Sequence, residues 1–141
     1  MDRDWVADKL RQHGIMPTRQ RLEIAHVLFS RRAHHSAEQL LQAVNARHDE
    51  ASKATIYNTL NLFLDKGLIR EVIVDPGRVF YDPNTEPHHH FFNVETGELI
   101  DIQASELRLT GLPKAPEGTV TEQVEVIIRI RPEPQSSPSR V

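Results

Sequence analysis

Cysteine is absent from all 141 residues, which excludes disulfides, thiol redox chemistry and zinc sites built on thiolates. Any metal held by this chain must be bound by imidazole nitrogen and carboxylate oxygen. Long apolar runs are missing too. No stretch approaches the roughly 18 residues that a membrane-spanning helix needs, and neither end pairs a charged segment with an apolar run and a small-residue cleavage site. The expectation is a soluble, cytoplasmic protein with no membrane partner. Internal repeats are also lacking.

What is present divides unevenly. Residues 1–70 hold 11 Lys and Arg against 8 Asp and Glu, a net of +3, whereas residues 71–141 hold 6 against 12, a net of −6. The length suits one ordinary domain or two small ones, and this asymmetry suggests two parts with different tasks. A mildly basic first half suits a polyanion.

The first 70 residues read as short helices with their punctuation. Residues 4–13 stop at Gly14, and Thr18 can cap a second helix in which Leu22, Ala25, Leu28 and Phe29 recur at helical spacing. Ser36 and Gln39 have capping-box form ahead of Leu40, Leu41 and Val44. Ser52 can cap a fourth helix, whose Ile56, Leu60, Phe63 and Leu64 form one apolar stripe ending at Gly67. The period then changes. "LIREVIVDPGRVFYD" (68–82) reads as a hairpin turning at Asp75, Pro76 and Gly77, so helices followed by this hairpin suggest a winged helix-turn-helix. "FFNVETGELIDI" (91–102) reads as a second hairpin, and alternation from Val120 to Ile130 predicts a half-buried strand. The Pro- and Ser-rich end is expected to be disordered. Together these give an α+β protein with a winged helix over 1–82, a small α/β domain over 83–131 and a tail over 132–141.

Two groups of residues carry chemistry. With the stripe of the fourth helix turned to the core, Lys53, Thr55, Tyr57, Asn58 and Asn61 fall on its other faces, where amide and hydroxyl groups suit base edges and Lys53 and Tyr57 suit phosphates. An ordinary solvated face is the alternative. The second group centres on "HHH" at 88–90. In an extended segment His88 and His90 project to one side and His89 to the other, so His-x-His can chelate. Asp82, Asp101 and His34 would complete a five-ligand nitrogen and oxygen set suited to Mn²⁺, Fe²⁺ or Zn²⁺. Solvated loop histidines and turn carboxylates are the alternative here.

The segments "MPTRQRLEIAHVL", "HHSAEQLLQAV", "SKATIYNTLNLFLDKGLIREV", "RVFYD" and "HHHFFNVETGELIDI" resemble the ferric uptake regulator family of metal-dependent repressors, across roughly residues 15–102. The resemblance implies a DNA-binding winged helix, a hinge near Asp82 and a C-terminal domain that pairs two chains on a palindromic operator. It also implies one regulatory metal site, with His34, Asp82, His88, His90 and Asp101 at the ligand positions. Where many relatives carry C-x-x-C for a structural zinc, this chain has Asn93 and Thr96, so no structural zinc held by four cysteines is expected. His89 stands where an aspartate is frequent, and Asn58 where an arginine follows the tyrosine.

These departures resemble the haem-responsive iron-response regulators of proteobacteria, in which a triple histidine is associated with haem. That resemblance implies haem at His88, His89 and His90, with His89 as the addition beyond the metal pair. The resulting expectation is a non-enzymatic repressor of iron-homeostasis and haem-biosynthesis genes. It would bind double-stranded, AT-rich palindromic DNA as a homodimer, with a tetramer as the alternative assembly. Arg19, Lys53, Thr55, Tyr57 and Asn58 are the expected DNA contacts. A His/Asp metalloenzyme, or a haem- or metal-buffering protein that binds no DNA, are the competing readings.

Overall fold

The structure, a computed structural model, describes residues 2–30 and 34–134. The polypeptide divides into two compact units, Met1–Glu86 and Pro87–Val141.

The first unit contains helices α1 (Arg3–Gln12), α2 (Arg19–Ser30), α3 (Ala37–Val44) and α4 (Lys53–Asp65), followed by strands β1 (Arg70–Asp75) and β2 (Arg78–Asp82). The caps fall where side-chain chemistry puts them. The Asp2 side chain accepts from Trp5 N–H at the start of α1. Ser36 and Gln39 close a reciprocal capping box on α3, and the Ser52 hydroxyl accepts from Thr55 N–H at the start of α4. Gly14 and Gly67 follow helix ends at φ 74° and 73°, a left-handed backbone that costs glycine nothing in side-chain strain.

One apolar cluster holds this unit together. Val6 and Leu10 of α1, Ile24 and Leu28 of α2, Leu40 of α3, and Ile56, Leu60 and Phe63 of α4 are all fully buried. Truncating a side chain of this kind, such as Phe63, to alanine costs about 3–5 kcal/mol. Strands β1 and β2 pair antiparallel from Arg70↔Asp82 to Asp75↔Arg78, with a register shift between Ile73 and Asp75 at the turn. Four short helices and a hairpin make the winged helix-turn-helix that periodicity predicts.

The second unit is a three-stranded sheet in the order β4-β3-β5, built from β3 (His89–Asn93), β4 (Leu99–Ile102) and β5 (Ile127–Ile130). β3 and β4 form an antiparallel hairpin, while β5 runs parallel to β3 with His90 opposite Ile127. A short 3-10 turn, Ala104–Glu106, lies in the long connection between β4 and β5.

The expected strand over 120–130 is shorter than its alternation suggests. Only Ile127–Ile130 is a strand, and Val120 is 89% exposed. Alternation identifies residues able to join a sheet, but a strand needs a paired neighbour, and the ladder with β3 begins only at His90↔Ile127. The expected tail is described only to residue 134, where 131–134 are exposed and irregular; its remainder lies outside the described residues.

Candidate functional site

In the first unit, residues 34 and 82 are brought together by a backbone hydrogen bond next to both. Tyr81 N–H donates to His35 C=O at 2.7 Å, an isolated bridge between the start of the α3 region and β2. The preceding and following residues therefore face each other, and His34 Nε2 lies 3.0 Å from Asp82 Oδ2 with both side chains buried. The other Asp82 oxygen accepts from Asn84 N–H at 2.9 Å. Burial, with the charges of Glu71 and Tyr57, pushes the nearby Tyr81 phenol above its ordinary value, so Tyr81 stays neutral beside the pair.

In the second unit, strand register performs the assembly. Alternation along extended backbone puts His88, the residue before β3, and His90 within it on the same side. The antiparallel pairing sets Asp101 directly opposite His90, and residues paired in this way share a face. The result is that His88 Nε2 and His90 Nε2 each lie 3.2 Å from the same atom, Asp101 Oδ1, with the two rings 4.5 Å apart between centroids. His90 is wholly buried, while the Asp101 side chain is 40% exposed.

These distances suit a divalent cation. Donors held at about 2.0–2.2 Å from one first-row ion, at tetrahedral or octahedral angles, stand roughly 3–3.5 Å apart. The 3.2 Å contacts in the second unit and the 3.0 Å contact in the first have that spacing. An imidazole N–H donating to a carboxylate has a similar length, and one carboxylate oxygen can accept two such bonds, so the spacing fits a cation as well as two protons. Without thiolates, the donor set suits Mn²⁺, Fe²⁺ or Zn²⁺.

His89 behaves differently from its neighbours. Its Nδ1 accepts from Val126 N–H at 2.8 Å. A neutral imidazole has one acceptor nitrogen, so using Nδ1 in this way leaves the proton on Nε2. The expectation that His89 adds a ligand for haem therefore meets an opposing arrangement: its lone pair already fastens the segment leading into β5.

On α4, Lys53, Tyr57, Asn58 and Asn61 are exposed, and Ile56, Thr59, Leu60 and Phe63 are buried. Thr55 is half-buried, and its hydroxyl lies 3.0 Å from that of Ser52, within the cap. Arg19, exposed at the start of α2, is held by Glu50, with Nε 2.7 Å from Oε1 and a second contact of 3.2 Å to Oε2. His48 Nε2 lies 2.7 Å from Oε2 of that carboxylate. Burial of the Glu50 side chain pushes its carboxyl up, and the hydrogen bonds and charges of Arg19 and His48 outweigh that, so it titrates below its ordinary 4.5. Asn45 organises the same loop: its amide donates to Ala51 C=O, and its carbonyl accepts from Glu50 and Ala51 N–H. Sequence reasoning did not identify Glu50 or Asn45, because loop residues carry no periodic signal.

Comparison with known proteins places these features in context. A family model described as "Ferric uptake regulator family" matches residues 12–128. The peroxide-responsive repressor PerR of Staphylococcus aureus is 36% identical over 98 residues, which is 70% of this chain and 66% of that repressor; the match thus spans just under two thirds of the relative's length. Among solved structures, a zinc-bound manganese uptake regulator aligns with a TM-score of 0.68 and 23% identity, covering 91% of this chain and 98% of that one. The Vibrio cholerae ferric uptake regulator aligns with a TM-score of 0.69 and 22% identity, covering 89% and 98%. At such identities the structural matches establish the fold.

Proposed function

The chain belongs to the ferric uptake regulator family, and from that premise we propose that it is a dimeric, metal-responsive repressor of iron-homeostasis and haem-biosynthesis genes. The family consists of regulators of transcription rather than enzymes, so the metalloenzyme alternative gives way. The observation that carries metal responsiveness is the aim of two imidazoles, His88 and His90, at one oxygen of Asp101.

In this reading one divalent ion is held by His34, Asp82, His88, His90 and Asp101, the ligand set that the family resemblance implies. When bound, the ion supplies the positive charge that keeps five lone-pair donors together. Occupancy of the site would favour the conformation that binds DNA, in which the α4 helices of two copies meet successive half-sites. Lys53, Tyr57 and Arg19 would contact phosphate, and Thr55 and Asn58 the base edges of an AT-rich palindrome. Glu50 would orient the Arg19 guanidinium for this task.

The dimer reading is supported by the sheet face opposite His90. Ile100, Phe91 and Ile128 sit side by side across β4, β3 and β5, with Ile100 and Ile128 exposed. An apolar ladder of that kind is suited to a second copy. A tetramer would need a further surface.

Haem, which the branch resemblance implies, would be taken by His88 and His90 rather than His89, and would compete with the divalent ion for them. Fluorescence anisotropy of a labelled duplex from the protein's own promoter tests the whole reading, using metal-stripped protein, then Mn²⁺, then haem. Mn²⁺ should tighten binding and haem should release it. Tight binding indifferent to both ligands would refute the sensing role of the histidines.

A further inference from the structure

His90 has a second carboxylate neighbour, on the opposite edge of its ring. While Nε2 faces Asp101, Nδ1 lies 3.5 Å from Glu125 Oε1. The His90 side chain is fully buried, and that of Glu125 is only 17% exposed. Glu125 is also held in place. Its other oxygen accepts from the Gln123 amide at 3.3 Å, and the next residue, Val126, is fastened to β3 at both backbone polar groups. Val126 N–H donates to His89 Nδ1 at 2.8 Å, and Val126 C=O accepts from His90 N–H at 3.1 Å.

We infer that Glu125 is a positioning residue for the metal centre, the outer carboxylate that receives the His90 Nδ1–H and so keeps the Nε2 lone pair available for ligation. The inference rests on the reading of His90 as a metal ligand. Two carboxylates compete for one proton on the ring. A neutral imidazole carries a single N–H, and His90 has a carboxylate at each nitrogen. If the proton sits on Nε2, facing Asp101, the ligand lone pair is lost. A carboxylate at Nδ1 biases the tautomer the other way, and partners of this kind orient metal-bound histidines and raise their basicity.

At 3.5 Å the contact is longer than a closed N–H···O bond, which spans about 2.7–3.2 Å. Donation of the Nε2 lone pair to a cation makes Nδ1–H a stronger donor, so ligation shortens the contact with Glu125. Because Glu125 stands two residues before β5, the shortening would draw the segment entering that strand toward β3.

The test uses the full-length chain and the variants Glu125→Ala, Glu125→Gln and His90→Ala. Affinity is measured by Mn²⁺ competition with a chelating indicator, and the His90 tautomer by long-range ¹H–¹⁵N spectra of the metal-stripped protein. Glu125→Ala should weaken Mn²⁺ binding roughly 10- to 100-fold and move His90 toward the Nε2–H tautomer. Glu125→Gln, whose amide oxygen still accepts, should lose less. If both Glu125 variants bind Mn²⁺ like the parent while His90→Ala does not, the positioning role is overturned and the metal site stands. If Glu125→Ala loses affinity with the tautomer unchanged, the loss comes from displacement of the chain and the role is again overturned. Parent-like Mn²⁺ binding by His90→Ala would overturn the ligand reading itself.

Discussion

If α4 reads DNA, its first turn should be the most sensitive point at which a small stability loss becomes a loss of operator affinity. Ser52→Ala is the perturbation. The Ser52 hydroxyl accepts from Thr55 N–H at 3.1 Å and lies 3.0 Å from the Thr55 hydroxyl, so alanine removes the cap and the partner of an expected base contact together. Losing an N-cap of this type costs about 1 kcal/mol, which for a unit the size of Met1–Glu86 lowers Tm by roughly 4–8 °C. The same energy, if spent entirely on ordering the first turn in the complex, corresponds to about fivefold in affinity, a ceiling set by about 1.4 kcal/mol per factor of ten. The control is Asp2→Ala, which removes the cap of α1, where Asp2 accepts from Trp5 N–H at 2.8 Å. Thermal melts and anisotropy titrations on the same preparations separate the two effects. Ser52→Ala should lower both Tm and operator affinity, and Asp2→Ala only Tm. Equal loss of affinity in the two variants, or a destabilised Ser52→Ala that binds DNA like the parent, would refute the assignment of α4.

Other expectations concern the surface and the sheet. Tyr57→Ala and Asn58→Ala, both exposed on α4, should weaken operator binding while leaving stability within about 0.5 kcal/mol of the parent's; parent-like binding by both would be incompatible with the proposed contacts. Ile128→Asp places a charge in the Ile100, Phe91 and Ile128 ladder and should shift sedimentation from dimer to monomer, and an unchanged dimer would move the interface elsewhere. The Glu50 carboxyl is depressed in the folded chain by Arg19 and His48, so its contribution to stability is present above pH 4.5 and is lost as pH falls through the folded value. Urea midpoints of the parent and Glu50→Gln should accordingly differ near neutral pH and converge once the medium is more acidic than the folded Glu50 carboxyl; a gap that persists in acid would contradict the ion-pair account.

Much of this molecule is legible in its sequence because the relevant signals are local. A serine three residues ahead of a glutamine marks the cap of α3, glycines end α1 and α4 where a left-handed residue is needed, and both hairpins carry their own turn residues. The His-x-His spacing likewise fixes the common face of His88 and His90 without knowledge of the rest of the fold. What the sequence hides depends on partners far along the chain. Alternation continues back to Val120, but β5 begins only where β3 can pair with it. The hydrogen bond that commits His89 Nδ1 spans 37 residues, and Glu50 meets Arg19 across 31. Glu125 shares a face with Ile127 by simple alternation, yet nothing local says that this face meets His90.

The parallel placement of β5 beside β3 also has a kinetic side. His90 and Asp101 face each other within a hairpin and are only 11 positions apart, whereas His89 and Val126 must close 37. Loop-closure entropy makes the longer connection costlier by about 1 kcal/mol, before the irregular backbone between β4 and β5 is ordered. Chain connectivity therefore favours an order of events in which two imidazoles and a carboxylate meet while β5 is still searching for its edge. A divalent cation present during synthesis would encounter a chelating hairpin before a finished sheet, and its capture would pin the register of β3 against β4 ahead of the strand that arrives last.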